Sequence, residues 1–277
     1  MKKLVAFLTP FVLIALILAC SKIDKDNYST DNEHIKSISM NGAVVHKYLY
    51  DVAGRIVEEN SSIYFKRFLY DKNDRLVKVE EAWDNAAILS LSSSALVERT
   101  EFMTSQNSTV SNYTLYEYDK AGLLSKTKHY FKPLNDPNGK FELRSIRTFE
   151  YEGSNIVKVN GCDETGKVNQ YWIYTYDKNG NVINEKNYSN NFGQTNELVR
   201  ETTYKYDNYK NPYHIFSMLG SPGLWSNVNN IIETRTTMYL DAPGVNKYST
   251  SKTTYQYNSN DYPEKAIYGD SVEEYKY

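Results

Sequence analysis

Hydrophobic and polar residues alternate along most of the chain with a period of two, the mark of strands with one face dry and one wet. Short polar runs rich in Asp, Asn and Gly interrupt the alternation, as in Tyr174-Thr-Tyr-Asp-Lys-Asn-Gly-Asn-Val-Ile183. Such punctuation predicts β-hairpins. Seven copies of one pattern occur, over residues 48–56, 68–76, 116–124, 149–157, 174–182, 204–212 and 255–263, and the chain ends on a half-copy, Glu274-Tyr-Lys-Tyr277. Their anchors are Tyr50, Tyr70, Tyr118, Tyr151, Tyr176, Tyr206, Tyr257 and Tyr277.

The copies predict a geometry. A three-residue hairpin loop is commonly a type I turn followed by one residue in the left-handed conformation. In the quoted copy the loop is Lys178-Asn179-Gly180, with Gly180 at the left-handed site and Asp177 accepting from turn amides. The equivalent sites hold Gly54, Asp74, Gly122, Asn155, Lys210 and Asp261. Lys210 is the misfit, and with Pro212 it predicts a longer or different turn. The loop also sets register: Tyr176 faces Val182, Tyr50 faces Ile56, Tyr70 faces Leu76, Tyr118 faces Leu124 and Tyr151 faces Val157. Each is an aromatic–aliphatic cross-strand pair.

Both aromatics of a copy share one sheet face, and the residue between them is mostly polar: Glu117, Glu150, Thr175, Lys205, Gln256 and Lys276 among them. With 26 tyrosines against 10 phenylalanines, the aromatic face carries many hydroxyls that need partners. Stretches such as Asn169–Tyr174, Glu197–Tyr204 and Ile232–Tyr239 supply return strands. Long polar excursions lie near 84 to 112 and 216 to 230, and Ala86–Leu91 has room for a short helix. Strands of ordinary length give roughly 14 in all.

A sheet that size must curl, split or close, because an exposed edge invites aggregation. The expectation is therefore all-β: an antiparallel meander of repeated hairpins closing into a large soluble barrel. An open, strongly coiled single sheet is the alternative. A membrane-spanning barrel needs an outward apolar band, which Glu117, Glu150, Lys205 and Lys276 deny it. Tyr48-Leu-Tyr-Asp-Val-Ala-Gly-Arg-Ile56 resembles the tyrosine-aspartate repeat of Rhs-type proteins. The C-terminal portion, from Tyr204 through Tyr255-Gln-Tyr-Asn-Ser-Asn-Asp-Tyr-Pro263 to Tyr277, is similar to uncharacterised surface or outer-membrane lipoproteins with a porin-like barrel. Anchor spacing of 20 to 51 is less regular than in Rhs repeats, so the enclosing shell of that family is not implied.

The N-terminus has two lysines and then an apolar run ending at Ala19-Cys20, the layout of a secretory signal. Ile17-Leu18-Ala19 before Cys20 resembles the lipobox of bacterial lipoproteins, implying cleavage there and lipidation of Cys20. Secretion with a chance cysteine is the alternative. Ser21 after the cysteine argues, by the same resemblance, for an outer membrane. The Lys/Asp-rich stretch that follows is similar to surface-export signals of lipoproteins in gut Gram-negative bacteria, so the cell surface is expected, with the periplasmic face as alternative. The expected organisation is a signal over 1–19, a flexible tether over 20–34 and one barrel domain over 35–277.

Loss of Lys2 and Lys3 moves the formal charge from -2 to -4, which leaves no basic footprint for nucleic acid. Cys162 is then the one unmodified cysteine, so no intramolecular disulfide forms. It lies in Gly161-Cys-Asp-Glu-Thr-Gly166, a turn-like stretch expected to expose an inert thiol.

Enzyme and cofactor motifs are missing, and His34, His46, His129 and His214 show no ligand spacing. No metal or cofactor is expected. Asp177-Lys-Asn-Gly-Asn181 has a glycine too early for a calcium loop. Tyrosine and tryptophan present apolar faces with polar edges, so the expected function is non-catalytic binding of a glycan or small amphipathic ligand, with Trp83, Trp172 and Trp225 as contacts. A structural or envelope-protein interaction module is the alternative, and a glycan-active hydrolase ranks third because no spacing defines an acid pair.

Overall fold

A computed structural model describes residues 34–84, 101–133, 139–189, 197–223, 225–239 and 246–277. Cys20, the signal, nearly all of the tether and the Ala86–Leu91 segment lie outside them. Seventeen strands form one antiparallel sheet. They are β1 (Ser37–Met40), β2 (Ala43–Tyr50), β3 (Ile56–Ser61), β4 (Tyr64–Tyr70), β5 (Leu76–Trp83), β6 (Asn112–Tyr118), β7 (Leu124–Phe131), β8 (Glu142–Glu152) and β9 (Asn155–Cys162). The rest are β10 (Val168–Tyr176), β11 (Val182–Ser189), β12 (Glu197–Lys210), β13 (Asn229–Met238), β14 (Lys247–Lys252), β15 (Thr254–Tyr257), β16 (Pro263–Tyr268) and β17 (Ser271–Lys276).

Each strand pairs with its successor from β2 through β14 and from β15 through β17. β1 bonds to both β17 and β2, which brings the meander round into a nearly closed barrel. One seam stays unsealed. β14 and β15 follow each other across Thr253, whose N–H donates to Ile232 O of β13 at 3.0 Å. β15 then pairs with β16. β16 turns back at Gly269, opposite the end of β14, so β14 runs on past it with a ladder to β13 alone among the described residues.

The hairpin tips follow from their side chains. Asp177 N–H bonds Asn181 O at 2.9 Å, and its Oδ1 accepts from Asn179 N and Asn181 N at 2.8 and 3.0 Å. Asp51, Asp71, Asp119 and Asn258 repeat the arrangement. The left-handed residue is Gly54, Asp74, Gly122, Gly180 or Asp261, with φ between 61° and 88°. Tyr50 faces Ile56, Tyr70 Leu76, Tyr118 Leu124 and Tyr176 Val182.

Two copies differ. In the fourth, Gly153 takes positive φ (61°) and Glu152 pairs with Asn155, so Tyr151 faces Ile156, not Val157, and Asn155 is an ordinary strand residue. Glycine at the first central position permits a two-residue turn, which shortens the loop by one. The sixth makes no tip at all. β12 continues to Lys210, whose N–H donates to Asp261 O at 3.0 Å, and the chain then turns into the barrel.

That inward turn is a 3-10 helix, Pro212–Leu219, which runs into the excursion expected near 216 to 230. Asn211 accepts from Tyr213 N at 3.0 Å and Pro212 opens the first turn, while Gly220 in the left-handed conformation ends it. Phe216 is 3% exposed and lies 5.7 Å from the Tyr48 ring, 6.4 Å from Phe68 and 5.2 Å from Trp225. On the other side of the lumen Gly220 meets β7 and β8 so closely that a Cβ there would sit 2.5 Å from Leu124 and 3.0 Å from Phe149. The segment is a plug spanning the tip end. Asparagines latch it: Asn211 Nδ2 donates to Asn227 O at 2.9 Å, Asn227 Oδ1 accepts from Val182 N at 2.9 Å, and Asn181 Oδ1 accepts from Val228 N and Asn229 N at 3.0 Å.

The preference for tyrosine over phenylalanine has a specific cause. Ladders between successive hairpins stop short of the tips: β3–β4 ends at Glu58–Arg67, β5–β6 at Lys78–Leu115 and β7–β8 at Lys126–Thr148. The carbonyls left over are taken by the anchor hydroxyls. Tyr70 donates to Ile56 O (2.9 Å), Tyr118 to Leu76 O (2.8 Å), Tyr151 to Leu124 O (2.9 Å), Tyr176 to Ile156 O (2.7 Å), and Tyr206 to Val182 O. Tyr50 and Tyr277 do the same for Ile35 O and Pro263 O, both at 2.9 Å. Tyr257 instead donates to Asp207. All the anchors but Tyr50 and Tyr257 thus fasten their own strand to the preceding one.

The outward face is charged. Glu80 binds Arg67 and Lys78, and the pairs Glu117–Lys128, Glu150–Lys158, Lys186–Glu201, Lys205–Glu233 and Lys265–Glu274 continue around the wall. No helix among the described residues is long and apolar enough to cross a membrane.

Candidate functional site: the lumen wall beyond the plug

Because side chains alternate along a strand, the inward tyrosines fix which other residues line the lumen. Along β2 the inward series is Tyr50, Tyr48 and His46; opposite them on β3 lie Ile56, Glu59 and Ser61. The plug occupies the tip end, and the described residues place no comparable segment in the other half.

Glu59 organises one wall of that half. It is 7% exposed, Lys66 Nζ lies 3.2 Å from one carboxylate oxygen, and the other accepts from Tyr64 OH and faces His46 Nδ1 at 3.7 Å. Tyr64 OH is also 3.1 Å from His46 Nδ1. Burial pushes the His46 imidazole below its ordinary range, with Glu59 opposing and Lys66 reinforcing. Burial pushes the Tyr64 phenol up, and Glu59 pushes it the same way, so it stays a donor. Beside it Trp83 packs on Tyr64 with ring centroids 5.0 Å apart, and its indole N–H donates to Glu81 at 3.1 Å.

The facing wall mirrors this. Glu185, 8% exposed, accepts from Arg200 at 2.7 Å, while the buried Arg200 Nε has no protein partner. Trp172 packs on the cluster of Val159 and Tyr174, with the Arg147 guanidinium 5.9 Å from its ring. His129 Nδ1 lies 3.1 Å from Thr114 Oγ1, and burial lowers its basicity, Glu81 opposing.

The sequence-derived contacts fall in three places. Trp83 ends β5 and Trp172 sits in β10, both facing inward on different walls. Trp225 belongs to the plug, wedged edge-on against Phe216 and Tyr213. No ring contact joins any two of the three among the described residues. Glu59, Tyr64, Lys66, Glu185 and Arg200 were missed: parity from the anchor tyrosines carries Tyr64, Lys66 and Arg200 inward, whereas Glu59 and Glu185 face in because a bulge shifts the register beside Tyr50 and Tyr176. Cys162 does not project from a turn: it closes β9, is 6% exposed, and burial raises its thiol pKa. The turn begins one residue later, where Asp163 and Gly166 build at the opposite rim the same loop that Asp177 and Gly180 build at the tips. No cluster of His, Cys, Asp and Glu with metal-binding geometry occurs among the described residues. Asp177 Oδ1 is taken by turn amides rather than free for calcium.

No protein-family model matches the chain, and no curated protein is similar to it. Among solved structures it resembles a porin-like protein from Bacteroides vulgatus ATCC 8482, with TM-score 0.50 and 13% identity over 88% of this chain and 98% of that one. A porin-like protein from Bacteroides uniformis ATCC 8492 follows at TM-score 0.46 and 11% identity, covering 87% and 97%. A TcdB2-TccC3-TEV structure matches over 81% of this chain and 14% of its own, at TM-score 0.22. The first likeness speaks for the barrel fold alone, and the other two carry no argument.

Proposed function

We propose that the chain is a non-catalytic binding barrel of a bacterial outer membrane, tethered by lipidated Cys20, that takes a glycan or other small amphipathic ligand in the half of the lumen beyond the plug. One observation carries the proposal: a barrel closed at one end by its own chain whose other half combines indole planes with ordered carboxylates and guanidinium groups. Flat apolar faces beside fixed polar groups are how small-ligand sites combine grip with orientation. Glu59 and Glu185 are each held by a cation, Lys66 and Arg200, which suits them as fixed groups for orienting a ligand. The charged outer wall supports a barrel that stands in water beside the membrane, because lipid contact needs an apolar band.

The test is native mass spectrometry of the mature chain after exposure to glycan mixtures. A stoichiometric small mass that disappears in Trp83→Ala or Trp172→Ala supports the lumen site. A bare protein mass with every mixture counts against it. The unladdered β14 edge favours one alternative, an envelope protein that adds a strand there. Capture of a single stoichiometric protein from envelope extracts would bring that reading forward.

A further inference from the structure

At the tip end, between the plug and the hairpin tips at 119–122, 152–155 and 177–180, lies a hollow of about 420 Å³ that the lumen proposal does not use. We propose that it is a second binding site, for an uncharged ring-bearing molecule with hydroxyl groups. Three observations carry this. First, the wall is neutral. Its eighteen lining residues include no Asp, Glu, Lys or Arg, in a chain where 24% of residues are charged. Burying an ionic ligand against such a wall would leave its charge unpaired.

Second, the rings are fixed. Tyr118, Tyr151 and Tyr176 line the hollow with their hydroxyls already donated to backbone carbonyls, so what they offer a ligand is apolar ring surface. Third, polar capacity is unspent. Ser226 lines the hollow with a buried hydroxyl that has no protein partner. His214 Nδ1 lies 2.9 Å from Ser226 O and 3.1 Å from Asn227 O, both acceptors. Nδ1 therefore carries a proton toward these carbonyls, and Nε2 is the ring atom left for a ligand hydroxyl. Gly220 and Leu124 line the hollow where the plug packs on β7.

The probe pair is 4-nitrophenyl β-glucoside and its charged counterpart, 4-nitrophenyl β-glucuronide, titrated into the full chain in phospholipid nanodiscs. The Met218 methyl resonance is the readout, since Met218 lines the hollow. The glucoside is expected to shift it saturably and the glucuronide to bind at least about tenfold more weakly. Ser217→Trp, at an exposed plug position, should abolish the shift, and Trp83→Ala in the lumen should leave it unchanged, which separates this site from the other. Equal binding of both probes, an unmoved methyl up to about 10 mM, or a shift that survives in folded Ser217→Trp would overturn the proposal. Should Ser217→Trp not fold, the contrast between the two probes at Met218 decides alone.

Discussion

A single hydroxyl group decides whether these hairpins form a wall. Where the ladder between successive hairpins stops short of the tips, it strands a carbonyl that the anchor tyrosine retrieves. Phenylalanine would pack as well and leave that carbonyl unpaired. Tyr118→Phe should therefore lower stability by about 1 to 3 kcal/mol, the range for an unsatisfied, partly buried acceptor. Tyr130→Phe is the control: its ring stacks on Tyr113 at 4.7 Å on the outer face, and it should shift stability by less than about 0.5 kcal/mol. Urea unfolding of the two variants checks the contrast, and equal losses would show that the ring, not the hydroxyl, is what matters. The histidines act at the same scale but through pH. His46 and His129 are held below the ordinary imidazole value of about 6.5, chiefly by burial, so the unfolded chain binds protons more readily than the folded one. Their contribution is fully present above about pH 6.5 and is lost as pH falls below it. His46→Gln with His129→Gln should flatten the stability profile below about pH 6.5. A profile as steep as that of the parent would trace the loss to other groups.

At the scale of elements, the plug is what turns a wide ring of strands into a folded molecule with a core. It buries Phe216 among Tyr48, Phe68 and Trp225, so Phe216→Ala should cost about 3 to 5 kcal/mol, the usual penalty for emptying a core aromatic site. Thermal denaturation followed at the tryptophans would register it, and a loss below about 1 kcal/mol would mean the plug is dispensable. The hairpins were legible in the sequence because each carries its own instructions: Asp to catch the turn amides, a residue that accepts positive φ, an aromatic and an aliphatic at matched distances. The plug was not, because its partners are distant in the chain. Phe216 answers to Tyr48 and Phe68, and Asn181 to Val228, and no local period announces either contact. The fourth copy misled for a smaller reason: Gly153 and Asn155 both suit a turn, and the choice between them moved the register by one residue. The lumen polar groups could have been found. Once the tyrosines are known to face inward, alternation alone carries Lys66 and Arg200 inward too, and the bulge beside Tyr50 then brings in Glu59.

At the scale of the whole molecule, the point where the chain enters the barrel sets its orientation. Ile35 is 1% exposed within the core at the tip end, and the His34 ring stacks on Tyr50 with centroids 4.8 Å apart. A lipid on Cys20, about 14 residues earlier in the chain, would pull from that end. Strands of seven to ten residues put the opposite rim on the order of 25 Å further out. The plugged end should accordingly face the bilayer and the lumen half with Trp83 should open away from it, where a glycan arriving from solution meets no membrane. The unsealed seam lies beside that outer half, since β14 outruns β16 at the end opposite the tips. The orientation is measurable. A fluorophore on Asn179→Cys, at a tip, should be quenched by spin-labelled lipid more strongly than one on Glu164→Cys, in the turn at the far rim, when the lipidated chain sits on vesicles. Equal quenching would mean the tether lets the barrel tumble freely, and the reverse order would place the lumen opening against the membrane, which would favour a ligand delivered from the bilayer over one taken from solution.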